Sequence, residues 1–223
     1  MPAPDIAVSP SPLFDVPSII WRALDFSVTD ADRLQGCDGT HRLEVTLPPS
    51  LSRAVPQRRA EFMAGRLAAG LALLAAGQPA KVGQQGRAPV WPVGIRGSIT
   101  HAGHHTIAAV STETDCLGID YEQLLTPQMA DEIADSIITP EEAALRPDDM
   151  AFEVFLTTTF SLKEAVYKAA SPRLSHIPDF HEARLLRFGN GDASLTLDGL
   201  TYHGHYRLMP EAALTVICEM HAP

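Results

Sequence analysis

The chain has 223 residues, with 17 Lys and Arg against 27 Asp and Glu, 45% hydrophobic residues and 3 Cys. That is enough apolar material to bury a core in one large domain or two small ones, which excludes a disordered chain. A formal net charge of -10 disfavours generic nucleic-acid binding unless basic residues cluster, and the one cluster present is small. Cys37, Cys116 and Cys218 are far apart and lack C-x-x-C spacing, which argues against a disulfide framework or a cysteine zinc site and points to a reducing cytoplasm. The opening MPAPDIAVSPSPLFDV has neither the charged start nor the apolar run of a signal peptide. The most apolar stretch, Leu67 to Ala76, is about half of the roughly 20 residues that span a bilayer, so no stable membrane insertion is expected.

Residues 1 to 17 carry five of the prolines and suggest an extended arm, followed by strand-like runs at Ser18 to Val28 and Arg42 to Leu47. From Gln57 to Ala76, Met63, Leu67, Leu71 and Leu74 recur at helical spacing, and Gly77 with Pro79 supplies a stop. A Gly- and Pro-rich loop leads to three short runs, Ser98 to His101, Thr106 to Ser111 and Leu117 to Glu122, whose simplest reading is a meander. Helices are expected at Pro127 to Ile137, Pro140 to Arg146 and Met150 to Ala170, with Thr139 and Glu142 as a capping box. The remaining runs, Ala193 to Leu197, Leu200 to Arg207 and Ala212 to Glu219, look like antiparallel strands. The expected fold is α+β, with two pseudo-symmetric subdomains at 1–110 and 111–223, each a small, mostly antiparallel sheet packed with a long helix, and a ligand cleft between them.

Asp120 and Glu122 are two apart on a strand and so project from one face, where paired hard oxygens suit Mg2+, although an exposed D-x-E is more often a solvated face. Glu164 and Lys168 are i,i+4 neighbours, an arrangement that a plain surface ion pair would also give; alternatively Ser161 and Glu164 form a capping box that opens a separate helix. Arg58, Arg59, Arg66 and Arg87 offer planar donors for phosphate, and helical projection sets Arg59 beside Arg66, with Arg58 about 80 degrees away. Thr100 and His101 add a hydroxyl and an imidazole. His101, His104 and His105 lack a fourth ligand for zinc.

The ordered runs R-R-A-E-F-M-A-G-R (Arg58 to Arg66), G-R-A-P-V-W-P (Gly86 to Pro92), G-S-I-T-H (Gly97 to His101), G-I-D-Y-E (Gly118 to Glu122) and F-S-L-K-E-A-V-Y-K-A (Phe160 to Ala169) resemble the 4'-phosphopantetheinyl transferases, in particular the enterobactin synthase component D branch. Many members carry Trp where this chain has Phe160, which reads as a packing swap.

The resemblance implies a cytoplasmic, Mg2+-dependent enzyme that moves the phosphopantetheine arm of coenzyme A onto a serine of an apo acyl or peptidyl carrier protein and releases adenosine 3',5'-bisphosphate. It implies Asp120, Glu122 and Glu164 as metal ligands, Glu164 as the group taking the serine proton and Lys168 as a charge on the pyrophosphate. It maps Arg58, Arg66, Arg87, Thr100 and His101 onto the adenosine phosphates. Lys163 is expected to contact a phosphate or the pantetheine arm. A monomer is expected, since two halves supply a complete site. The docking patch for the carrier is expected to be small and apolar, in the segment after Glu122, because both proteins would be acidic. A Mg2+-dependent pyrophosphate or phosphodiester hydrolase, or a non-catalytic coenzyme A binding module, would use the same residues.

Overall fold

The computed structural model describes residues 5–16, 18–28, 31–86, 88–174, 176 and 178–220. The chain divides into two compact units, residues 1–113 and 114–223, three residues beyond the expected boundary. Each is an α+β assembly built round one long helix.

The first unit contains β1 (Asp5–Ala7), β2 (Ile20–Asp25), β3 (Arg33–Cys37), β4 (Arg42–Thr46), a 3-10 turn at Pro49–Leu51, α1 (Pro56–Ala75), β5 (Gly83–Gln85), β6 (Ala88–Val90), β7 (Arg96–Ala102) and β8 (His105–Ser111). Pro56 opens α1, where a missing N–H costs nothing and the fixed φ suits the first turn. The apolar stripe expected on α1 is wider than four leucine-type positions. Ala60, Ala64, Ala68, Ala69 and Ala72 are buried with Met63, Leu67, Leu71 and Leu73, because β2-β8-β7 and β1-β3-β4 both pack against the helix. Two sheets close on one helix only where its side chains are small. A Cβ on Gly65 would meet Ile99 Cγ2 at 3.0 Å.

β1 and β3 were not foreseen. β1 lies in the proline-rich arm and runs parallel to β3, so part of that arm is a sheet edge. The expected meander is also corrected: β7 and β8 form a hairpin, but the third run leaves for the other unit's sheet.

A buried ion pair ties the β2-β8-β7 sheet to the β1-β3-β4 sheet. Arg22 on β2 donates from Nε to Asp38 Oδ2 at 2.7 Å and from Nη2 at 2.6 Å, and its Nη1 donates to the Trp21 carbonyl. The other carboxylate oxygen, Oδ1, accepts the backbone N–H groups of Thr40 and His41 in the β3–β4 turn.

The second unit contains β9 (Thr114–Gln123), α2 (Pro127–Ile137), α3 (Pro140–Ala143), α4 (Phe152–Ala170), β10 (Arg184–Gly189), β11 (Asp192–Leu197), β12 (Leu200–Met209) and β13 (Ala212–Met220). Thr126 caps α2 through Met129 N, and the Thr139–Glu142 capping box is present in both directions. Helix α4 is continuous, so Ser161 and Glu164 do not open a separate helix. The sheet order is β10-β11-β12-β13-β9, antiparallel throughout. Its first two hairpins turn on Asn190-Gly191 and Asp198-Gly199, where all four residues have positive φ, as a two-residue turn matched to strand twist requires. Helix α4 covers one face of this sheet, with Phe155, Leu156, Leu162, Ala165, Val166 and Ala169 buried against Leu195, Tyr202 and Ile217. Among the described residues no helix is long and apolar enough to cross a membrane, and Cys37, Cys116 and Cys218 are free thiols.

Burial by itself raises the Asp38 carboxyl, but the His41 and Thr40 amides and Arg22 together outweigh it and hold the group at about 2. A depressed folded pKa contributes stability above the unfolded value of 3.8, lost as pH falls through about 2. The stability gap between the wild type and Asp38→Asn in urea titrations is therefore expected to be constant above about pH 5 and to shrink by about 2 kcal/mol on acidification to pH 2.

Candidate active site

Strand β9 brings Asp120 and Glu122 to one face, and α4 lies against that strand with Glu164 and Lys168 on its flank. What allows the approach is Gly118. A Cβ there would overlap the Ala165 carbonyl oxygen and come within 2.7 Å of Ala169 N, both backbone atoms of α4 that cannot swing aside. Behind β9, Thr215 of β13 sits in register with Asp120. Its hydroxyl donates to the Ser161 carbonyl at 3.0 Å and shares a 2.9 Å hydrogen bond with Ser161 Oγ, pinning α4 to the sheet.

Lys168 Nζ donates to Asp120 Oδ1 at 2.6 Å and to the Ile119 carbonyl at 3.1 Å, with Asp120 buried and Lys168 partly open. Burial, then the Asp120 charge, pushes the Glu122 carboxyl up to about 7, with Glu164 adding to the rise and Lys168 opposing it. Glu164 is raised by burial first and by Asp120, again against Lys168. The carboxylates thus lie close enough to repel one another across a partly buried strand-helix junction. A hard divalent cation suits such a donor set, since oxygen ligands and unrelieved negative charge are what it needs. They are not drawn together as a finished cage: among the described residues no three His, Cys, Asp or Glu side chains are gathered for a metal, and the Asp120 oxygen is turned to Lys168.

Lys163 overturns its expectation. Its side chain is 0% exposed and pairs with Glu142 Oε1 at 2.8 Å, while Nζ also donates to the carbonyls of Ile137 at 2.7 Å and Phe180 at 3.0 Å. Burial presses its ammonium below the ordinary lysine range, and Glu142 works against that shift. With three donors already used inside the protein, it has no reach to a phosphate.

In the first unit, Arg66 projects over the Phe62 ring at 4.9 Å, donates to the Gly83 carbonyl and, with Lys81, lines an open cleft of about 340 Å³. Burial lowers the Arg66 pKa, and the charge of Arg58 lowers it further, so these two guanidinium groups share one field. Arg59, the neighbour that helical projection favoured, is held by Asp32 at 2.6 Å. Glu61, overlooked in the sequence, faces Arg58 Nη1 at 3.6 Å and His101 Nε2 at 3.8 Å; its i,i+3 spacing from Arg58 was the available signal. Thr100 and His101 alternate across β7, with Thr100 buried and His101 on the same face as Ile99, which packs towards α1. Arg87 lies outside the described residues.

A model of the 4'-phosphopantetheinyl transferase N-terminal domain matches residues 47–111, and that of the 4'-phosphopantetheinyl transferase superfamily matches residues 116–217. The chain belongs to the 4'-phosphopantetheinyl transferase superfamily. Enterobactin synthase component D of Salmonella typhi is 38% identical over an alignment covering 66% of this chain and 62% of that protein. The 4'-phosphopantetheinyl transferase Npt of Nocardia iowensis is 33% identical, with 69% of each chain covered. The chain therefore spans about three fifths of the Salmonella typhi relative's length. The solved holo-acyl-carrier-protein synthase of Thermotoga maritima aligns with 48% of this chain and 65% of its own, at 23% identity and a TM-score of 0.39.

Gly118→Ala is expected to cost about 3 kcal/mol in urea unfolding, at the upper end for overpacking, because the obstacle is helix backbone. Gly204→Ala is expected to cost clearly less, since its Cβ would meet the side-chain tips of Ile217 and Leu162. Thr215→Val is expected to cost about 1–2 kcal/mol by leaving Ser161 with fewer partners.

Proposed function

We propose that the protein transfers the 4'-phosphopantetheine group of coenzyme A to a serine hydroxyl of an acyl or peptidyl carrier protein, releasing adenosine 3',5'-bisphosphate. The observation that carries the reading is the Asp120–Lys168 contact beside Glu122 and Glu164: one cation set among three mutually repelling carboxylates on the β9–α4 junction. A bound Mg2+ on Asp120, Glu122 and Glu164 would supply the charge neutralisation that breaking a phosphoanhydride requires.

The chain's own residues would do the rest. Lys168, partly open beside Asp120, would hold its ammonium against the pyrophosphate oxygens, where charge develops. Glu164 accepts the proton of the carrier serine as its oxygen attacks the phosphorus on the pantetheine side, and the bond to the adenosine-bearing phosphate breaks. Arg58, Arg66 and His101, with Arg87 and Thr100, bind the adenosine phosphates, and Glu61 keeps Arg58 and His101 oriented before the anion arrives. The carrier docks on α2, whose Met129 and Ile133, one helical turn apart, are 50% and 36% exposed.

Intact-mass measurement of an apo carrier protein with coenzyme A and Mg2+ should show the gain of one phosphopantetheine group. Glu164→Gln and a chelator should each reduce the rate by at least about a hundredfold, in the range of a lost general base. Coenzyme A consumed without a mass gain would indicate a hydrolase, and tight binding without turnover a binding module. Met129→Asp with Ile133→Asp is expected to raise the KM for the carrier and leave that for coenzyme A unchanged; a rate that falls steeply with salt would instead favour electrostatic docking.

A further inference from the structure

We propose that the buried Lys163–Glu142 ion pair is a positioning device that fixes the rotation of α4 on its sheet, so that Glu164 and Lys168 meet β9 in a single arrangement. Its consequence for catalysis rests on the transferase reading above.

The pair stands out by what it joins. Lys163 Nζ reaches the Ile137 carbonyl at the end of α2, Glu142 in α3 and the Phe180 carbonyl in the connection to β10. Glu142 in turn accepts Thr139 N at 2.8 Å through Oε2 and Leu185 N at 2.6 Å through Oε1. The three ammonium hydrogens and both carboxylate oxygens are thus occupied, and the partners belong to α2, the start of α3, the connection before β10, and β10 itself.

Apolar side chains of similar volume would hold these segments together about as strongly, because desolvation offsets most of the Coulombic gain of a buried pair. What they would not supply is direction. Apolar contacts along α4 tolerate small rotations and slides, whereas five bonds to fixed backbone and carboxylate atoms do not. Lys163 sits one residue before Glu164, about 100 degrees round the helix, so it can clamp α4 from behind without touching the reacting face.

The test compares the wild type with Lys163→Met, Glu142→Gln and the double variant, which restores charge neutrality and so keeps the protein folded. Three quantities are measured: the thermal midpoint, kcat and KM with coenzyme A and an apo carrier protein, and hydrogen exchange of the amides of residues 160–169. The double variant is expected to unfold cooperatively and to keep its KM for coenzyme A within about twofold. Its kcat should fall at least about tenfold, as small misplacements of reacting groups do. The amides around Glu164 should exchange at least about tenfold faster. The reversed pair, Lys163→Glu with Glu142→Lys, should not rescue kcat, because a lysine at 142 cannot accept the Thr139 and Leu185 N–H groups.

A folded double variant with unchanged kcat and exchange overturns the proposal, as does a loss of kcat no larger than its loss of folded fraction. A wild type that transfers nothing to any carrier would defeat the transferase reading alone. The exchange comparison then decides the positioning claim, and unchanged protection of residues 160–169 overturns it.

Discussion

Strand β9 and helix α4 meet backbone to backbone at Gly118, and the chemistry of the second unit depends on that approach. A side chain there would collide with the Ala165 carbonyl and the Ala169 amide nitrogen, which belong to the helix ladder and cannot yield. Moving the helix outward by the width of a methyl group would separate Lys168 from Asp120 and relieve the burial, and with it the repulsion, that raises Glu122 and Glu164. Thr215 and Ser161 secure the same junction from the side of β13. The carboxylates are thus close because a helix and a strand pack closely, and their electrostatics follow from packing.

Both units solve one problem in the same way. In the first, Asp38 sits in a turn, accepts two backbone N–H groups and takes the charge of Arg22 from another sheet. In the second, Glu142 sits in a helix cap, accepts two backbone N–H groups and takes the charge of Lys163. A carboxylate so supplied with donors can be buried at modest cost, and it then serves as a joint between segments far apart in the chain.

Local patterns in the sequence led directly to some elements. Pro127 marked the start of α2, and Thr139-x-x-Glu142 marked the capping box, because both signals act within one helical turn. The pairing of Asp120 with Glu122 also followed from strand alternation alone. Other features were hidden by distance. Helical projection sets Arg59 beside Arg66, but Asp32, in a loop before β3, takes Arg59. Lys163 looked like a flank of the reacting surface because Glu142, its partner, is 21 residues away and already had a role as a cap. Strand β3 escaped notice because Gly36 interrupts its alternation, and the structure needs that glycine: a Cβ would meet the Ile6 carbonyl at 2.8 Å. Strand β10 is an edge strand with a register shift between Leu185 and Arg187, which blurs the two-residue period.

The register between β9 and β13 also sets an order of events as the chain is made. Asp120 lies opposite Thr215, so the strand that carries two of the carboxylates gains its neighbour only when residues 212–220 have been synthesised. Until then β9 is an unpaired edge without the Thr215 hydroxyl that anchors α4, and the junction bearing Lys168 cannot close. Such long-range pairing must repay a large loop entropy before any local contact supports it, which makes it a late step in folding. A partly synthesised chain would therefore hold Glu164 apart from Asp120 and Glu122 until its own sheet is complete.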